Sequence, residues 1–233
     1  MGGDTRRGAL QLDARTKASL EIFVREAFQC QEDVAVSIAG AAVERAYPSG
    51  AVILRQDDPC GETYLLTLGR LRAAAVGRSG EPVLLRDLSP GDLFGATVQP
   101  GTKSEAEIVA LEAARAAVFA AIDFLRMMER HSCVGLTLSR MLLRQLREAA
   151  ERMIDRNTLS AVGRIHAELW RRAERTGWTI SPPPVLSALA MDLQTTRETV
   201  SRTVNALERR GIVRRTPQAL IVVAPRRLEG LID

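Results

Sequence analysis

The chain has 233 residues, 46% apolar and 26% charged, which suits two ordinary domains with cores of their own and excludes intrinsic disorder. No run of about eighteen apolar residues is present, so no membrane-spanning helix is expected. The opening segment lacks the apolar core of a secretion signal, which makes a cytoplasmic location the expectation. The formal net charge is +4, and residues 161–233 carry twelve arginines against seven carboxylates, a net +5, leaving the remainder near neutral at −1. A basic excess confined to one end fits a polyanionic partner.

In chain order, Ile22, Phe23, Ala27 and Phe28 form an amphipathic opening helix. Near Tyr47 the pattern changes to short apolar runs at 51–54, 63–68, 71–76, 83–85, 108–111 and 116–119. Gly50, Gly61, Gly69, Gly77, Gly80, Gly91, Gly95 and Gly101 fall between or beside them. Short strands with glycine turns predict an antiparallel barrel or jelly roll. A long helix is expected from Cys133 to about Arg156, with no proline and no glycine after Gly135. On it Leu142, Leu146, Ala149 and Met153 alternate four and three residues apart, the seam of a two-helix coiled coil. A second stripe, Leu138, Met141 and Leu143, is placed to face the jelly roll. From spacing alone, a helix packed only on its own domain remains the alternative to a homodimer.

Residues 185–213 are the most informative. Val185, Leu186, Leu189 and Ala190 give one short apolar helix face, and Asp192-Leu193-Gln194 interrupts it. Thr195 is expected to cap a second helix, with Glu198 at capping-box spacing, Val200, Val204 and Leu207 as its buried stripe and Gly211 as its end. Thr196, Arg197, Glu198, Ser201 and Arg202 then face outward. Arginine donates two bonds to guanine, glutamate accepts from cytosine, and serine adapts to either, so a helix presenting them suits the major groove. Ile212-Val213 and residues 220–223 flank a polar tip, 214–218, as the strands of a wing would.

The run Thr196-Arg197-Glu198-Thr199-Val200-Ser201-Arg202 resembles the S-R-E-T-V-S-R recognition helix of the Crp/Fnr superfamily of bacterial transcription regulators, with one Ser-to-Thr change. The front half is similar to that superfamily's cyclic-nucleotide-binding-type sensor. Residues 50–57 resemble its G-x-x-I-x-x-x-G/D strand, 64–70 its tyrosine-to-glycine turn, and 88–95 its L-x-P-G-D-x-F-G element. The resemblance covers essentially the chain from Ala27 onward. It implies an α+β chain: an antiparallel β jelly roll, a long central dimerisation helix and a C-terminal winged helix-turn-helix. The implied domains are a helical lead-in and sensor over 1–130, the dimerisation helix over 131–157 and the DNA-binding domain over 158–233. It further implies that Arg197, Glu198 and Arg202 read bases with Ser201 assisting and Thr195 and Thr196 beside them. The partners it implies are double-stranded DNA, a second copy of the chain and RNA polymerase, with no membrane.

The chain also departs from the cyclic-nucleotide pattern. Where binders of cyclic nucleotides carry F-G-E, then a basic R-S-A or R-T-A, this sequence has Phe94-Gly95-Ala96-Thr97 and Ser104-Glu105-Ala106, with Lys103 one residue out of register. The adenine-side hydroxyls of the family align near Ala149 and Ala150, which have none. These eight positions, Phe94, Gly95, Ala96, Thr97, Lys103, Ser104, Ala149 and Ala150, are the candidate effector pocket. Without the carboxylate and the arginine, cAMP in the usual mode is not expected.

No cofactor or metal is called for. Cys30, Cys60 and Cys133 are far apart and lack zinc spacing, so they read as reduced thiols, too few for an iron–sulfur cluster. His131 and His166, the only histidines, read as a helix-end and a buried residue; haem on His131 or Cys133, or an unidentified small effector, is the alternative. No nucleophile elbow, zinc-protease, P-loop or dinucleotide motif suggests an enzyme. The expectation is a sequence-specific regulator on a two-fold symmetric operator. Its rival is a degenerate sensor serving as a protein-interaction module without specific DNA binding.

Overall fold

Helices α1 (Ala14–Phe28) and α2 (Glu32–Gly40) lead into eight strands: β1 (Val43–Tyr47), β2 (Val52–Leu54), β3 (Glu62–Leu68), β4 (Leu71–Val76), β5 (Pro82–Leu88), β6 (Leu93–Gly95), β7 (Glu107–Ala110) and β8 (Ala114–Ala120). Helices α3 (Ala121–Arg130), α4 (Ser132–Thr158) and α5 (Ala161–Arg175) follow, then β9 (Thr179–Ile180), α6 (Leu186–Asp192), α7 (Arg197–Arg209), β10 (Val213–Arg215), β11 (Leu220–Val222) and α8 (Pro225–Glu229). This computed structural model describes residues 14–77, 80, 82–96 and 101–232, and the chain divides into two units, Met1–Gln145 and Leu146–Asp233.

The first unit is an antiparallel β-sandwich. One sheet has the order β1-β8-β3-β6 and the other β2-β7-β4-β5. Alternate residues of both sheets, among them Tyr64, Leu66, Leu71, Leu88, Phe94, Ile108 and Val118, meet inside. The opposite face of the first sheet, carrying Leu65, Leu93, Ala117 and Phe119, is covered by Leu20, Val24 and Phe28 of α1, by α2, by Phe124 and by Val134, Leu138 and Met141 of α4. A sheet buried on both faces loses the apolar–polar alternation, which is why 64–66 and 116–119 read as unbroken apolar runs.

All six expected strands form. β1 and β6 lie outside the strands expected from the sequence. β1 is half-exposed throughout and β6 has three residues, so neither shows periodicity. The expected face of α1 needs correction: the buried stripe is Leu20, Val24 and Phe28, while Ile22 is exposed. On α4, Leu138 and Met141 are buried as expected, but Leu143 is exposed, because it sits nearly half a turn from that stripe. Gly69 joins β3 to β4 at φ +84°, and a Cβ there would lie 2.5 Å from the Ala113 carbonyl oxygen. Only glycine allows that approach.

In the second unit α5, α6 and α7 pack on a three-stranded sheet of order β10-β11-β9. The core joins Ile165, Leu169 and Ala173 of α5 with Leu189, Val200, Val204, Leu207, Leu220 and Val222. Ser160 caps α5 by accepting from the Gly163 amide at 3.0 Å. His166 is buried with Nδ1 2.9 Å from the Leu231 carbonyl, and His131 ends α3, as the sequence suggested for both. Helix α5 lies beyond the elements expected from the sequence, although Ile165, Leu169 and Ala173 recur every four residues.

Candidate nucleic-acid interface

The α6–turn–α7 segment is built by backbone closure. Leu193 and Gln194 donate to the carbonyls of Leu189 and Met191, and Thr195 donates to Ala190 at 2.9 Å, with Gln194 at φ +48°. Thr195 is therefore still held by α6, which corrects its expected role as the cap. The cap is Thr196: it has extended backbone, and its hydroxyl accepts from the Thr199 amide at 3.1 Å. The exposed Glu198 carboxylate lies 3.7 Å from Arg202 and completes no capping box. Val185 is likewise not part of the apolar face of α6, being its N-cap and 66% exposed.

Val200, Val204 and Leu207 are buried, and Gly211 follows the helix at φ +65°. That fixes the rotation of α7. Thr196, Arg197, Glu198 and Arg202 are exposed, with Thr195 and Ser201 half-buried. The Glu198–Arg202 pair is about three-quarters exposed on both sides, so it is loose and gives way readily to other partners.

The surrounding charges sort the twelve arginines of this region. Arg164 donates to the carbonyls of Leu193 and Leu159, bracing the turn from α5. Arg172 bridges Glu168 at 2.6 Å and Asp192 at 2.8 Å, tying α5 to the end of α6. Arg171 pairs with Glu168 and stands 2.8 Å from Asp155 Oδ2, a charge contact without hydrogen-bond alignment. Arg175 faces Glu148. The Arg215 guanidinium donates twice to Glu208 Oε2 and once to Asn205 Oδ1, and its backbone amide donates to Glu208 Oε1, which fastens the wing to α7. These hydrogen bonds hold the Glu208 carboxyl below the usual carboxylate range. Among the described residues Arg197, Arg209, Arg210, Arg214, Arg226 and Arg227 make no ion pair. Those six and Arg202 are the cations left for a polyanion.

In the sandwich, Phe94 stacks on Tyr64 with ring centroids 4.8 Å apart. Ala96 is buried beside Cys60 and Ala106, and its amide donates to Glu62. A Cβ on Gly95 would fall 2.5 Å from the Glu62 carbonyl, so packing alone demands glycine there. Ser104 is turned to its own backbone, its hydroxyl donating to the Ala106 carbonyl at 2.7 Å. Lys103 is exposed and bridges Pro59 through its backbone. Ala149 and Ala150 lie exposed on α4, and Thr97 falls outside the described residues. One polar cluster escaped sequence reading: Arg45 donates to both Glu62 oxygens at 2.6 and 2.7 Å, and Tyr64 donates to Glu62 at 2.7 Å. The Arg45 hydrogen bonds hold the Glu62 carboxyl low, whereas burial and then Glu62 push the Tyr64 hydroxyl up. Finding it required β1, which the sequence did not show.

A β-sandwich followed by a winged helix-turn-helix with unpaired arginines defines a DNA-binding regulator carrying a sensor-type domain. Residues 44–131 match the cyclic nucleotide-binding domain and residues 163–231 the Crp-like helix-turn-helix domain. The chain is 32% identical over 178 residues to the cyclic AMP receptor protein of Thermus thermophilus, covering 74% of this chain and 80% of that one. It is 27% identical over 191 residues to the transcriptional activatory protein AadR of Rhodopseudomonas palustris, covering 79% of each. In fold it is similar to FixK2 of Bradyrhizobium japonicum (TM-score 0.71, 22% identity, 82% and 98% of the two chains). It is also similar to a CooA mutant of Carboxydothermus hydrogenoformans (TM-score 0.79, 19% identity, 90% and 95%). The chain belongs to the Crp/Fnr family of transcription regulators.

The capping geometry makes a direct prediction. Thr196→Ala is expected to lower stability by about 1 kcal/mol. Thr195→Ala, whose hydroxyl makes no hydrogen bond among the described residues, stays within about 0.5 kcal/mol of the parent. Urea unfolding of the two variants checks this; equal losses would return the cap to Thr195.

Proposed function

We propose that this regulator works in the cytoplasm as a homodimer on a two-fold symmetric operator and meets RNA polymerase there. In this reading 1–130 forms the sensor, 131–157 pairs the subunits, and 158–233 reads DNA. Arg197, Glu198 and Arg202 contact base edges, with Ser201 assisting and Thr195 and Thr196 beside the backbone. The observation carrying this reading is the face of α7. It presents those three charged side chains to solvent, Glu198 and Arg202 paired only with each other across 3.7 Å and Arg197 in no ion pair among the described residues, while Arg172 and Arg215 are consumed inside the fold. No described helix is long and apolar enough to cross a membrane.

The dimer reading rests on α4. Leu142, Leu146 and Met153 are 44%, 67% and 64% exposed, and Ala149 is exposed between them, a seam left uncovered by the described residues. A partner helix would bury it as paired coiled-coil layers do. A single reading helix also supplies too few base contacts for useful specificity, which two half-sites correct.

For the sensor, we infer a response to something other than cAMP in the usual mode. Ala96 and Ala106 are buried in the sandwich core, Ser104 is bonded to its own backbone, and Lys103 is exposed. None of these offers a carboxylate to the ribose or a guanidinium to the phosphate.

Arg202→Ala is expected to weaken binding to a specific operator by about 1–3 kcal/mol per half-site while sparing scrambled DNA, as read by electrophoretic shift. Equal loss on both DNAs would assign Arg202 to phosphate. Leu142→Asp with Leu146→Asp is expected to give monomers in light scattering, because charges would oppose one another across a dry seam; an intact dimer would place the interface elsewhere. Calorimetric titration with cAMP is expected to show no binding tighter than roughly millimolar, since each charge-assisted bond lost removes about 1.5–3 kcal/mol. Micromolar affinity would mean that backbone amides or Lys103 rebuild the phosphate site.

A further inference from the structure

Cys30 and Cys133 are 103 positions apart in sequence, yet the fold sets them side by side. Three successive positions on one stripe of α4 face three successive residues at the end of α1. Arg140 donates to the Gln29 side chain at 3.1 Å, Thr137 to the Phe28 carbonyl at 3.4 Å, and one turn earlier Cys133 stands beside Cys30, near enough for the two side chains to act on each other. The spacing of 133, 137 and 140 is that of a single helix face. Gln29 holds the reversal at φ +51°, and the Cys30 amide donates back to Arg25 at 3.2 Å. Both thiols are half-exposed at the rim of the apolar cluster that contains Phe28, Phe124 and Val134. Cys60, by contrast, is 3% exposed, and its thiol donates to the Glu62 carbonyl.

We propose that Cys30 and Cys133 are a redox modification site, a dithiol that a hydroperoxide converts to an intrachain disulfide between the end of α1 and the first turn of α4. Cys133 is the second residue of a 27-residue helix, at the positive end of its backbone dipoles, and is the attacking thiol. Burial, then the neighbouring Cys133, pushes the Cys30 thiol up, so it keeps its proton and is the resolving thiol. The Cys133 thiolate attacks one peroxide oxygen, the O–O bond breaks, and the departing oxygen leaves as water with a proton from solvent. Cys30 sulfur then attacks the sulfenic sulfur; the S–S bond forms, the S–O bond breaks, and the hydroxyl leaves as a second water with the Cys30 proton. Two thiols and one hydrogen peroxide become one disulfide and two waters, and a dithiol reductant returns the two electrons. In a reducing compartment such a bond is transient, which suits a sensor better than a permanent staple.

The test uses the full reduced chain, equimolar hydrogen peroxide, alkylation of remaining thiols and non-reducing tryptic mapping. The expected product is a single chain lighter by two hydrogen atoms, with peptide 26–45 linked to peptide 131–140 and Cys60 carrying no linkage. Dithiothreitol restores the thiols. Cys30→Ser is expected to stop at a sulfenic acid on Cys133 that dimedone traps. Closing so long a loop raises the unfolding temperature of the oxidised parent by roughly 10 °C, with no rise in Cys30→Ser. Full alkylation of both cysteines after peroxide, over-oxidation without linkage, or a bond between two chains would each overturn the assignment.

Discussion

Burial of the β1-β8-β3-β6 sheet on both faces is what the first unit depends on. Its inner face meets the second sheet, and its outer face needs a cover as apolar as itself. Four helices supply that cover, two from before the strands and two from after them. The lead-in and the start of the long helix are therefore part of the same core, and α4 begins with its orientation fixed by Val134, Leu138 and Met141. Beyond Met141 the buried stripe stops and Leu142, Leu146 and Met153 stand open. One helix thus begins as core and continues as an exposed seam, and the change of role falls within a single turn.

The second unit is organised around the turn between α6 and α7, and its arginines divide accordingly. Arg164 and Arg172 spend their charge holding the turn and the end of α6, while Arg215 holds the wing. The composition shows an excess of positive charge but not which cations are already engaged. Counting the unpaired ones narrows the basic surface to α7, the wing and the C-terminal helix. That placement agrees with a polyanion approaching the exposed side of α7.

Much of this was legible in the sequence where one periodicity dominated. The six strand runs, the long helix, the buried stripe of α7 and its glycine end were all visible because their residues face one environment. The misreadings occur where local chemistry allows two answers. Thr195 and Thr196 can each cap a helix; the backbone decides, because the amide of Thr195 is taken by the Ala190 carbonyl. Ile22 and Leu143 are apolar and close in sequence to the buried stripes, yet each sits on the far side of its helix. β1 carried no signal since its stabilising contact, Arg45 with Glu62, joins residues far apart in the chain. The meeting of Cys30 with Cys133 was hidden for the same reason: spacing reports on one element at a time, and this contact belongs to two.

The Glu208–Arg215–Asn205 network carries a consequence for how such a domain could be tuned. Arg214 points to solvent, while its neighbour Arg215 is folded back and neutralised by Glu208. The wing thus holds one cation in reserve. Loss of the Glu208 charge would release it without touching any residue on the outward face of α7. General attraction to the phosphate backbone could then rise while the base-facing side chains stayed the same, so the balance between searching DNA and choosing a site can be set by an acid that touches neither.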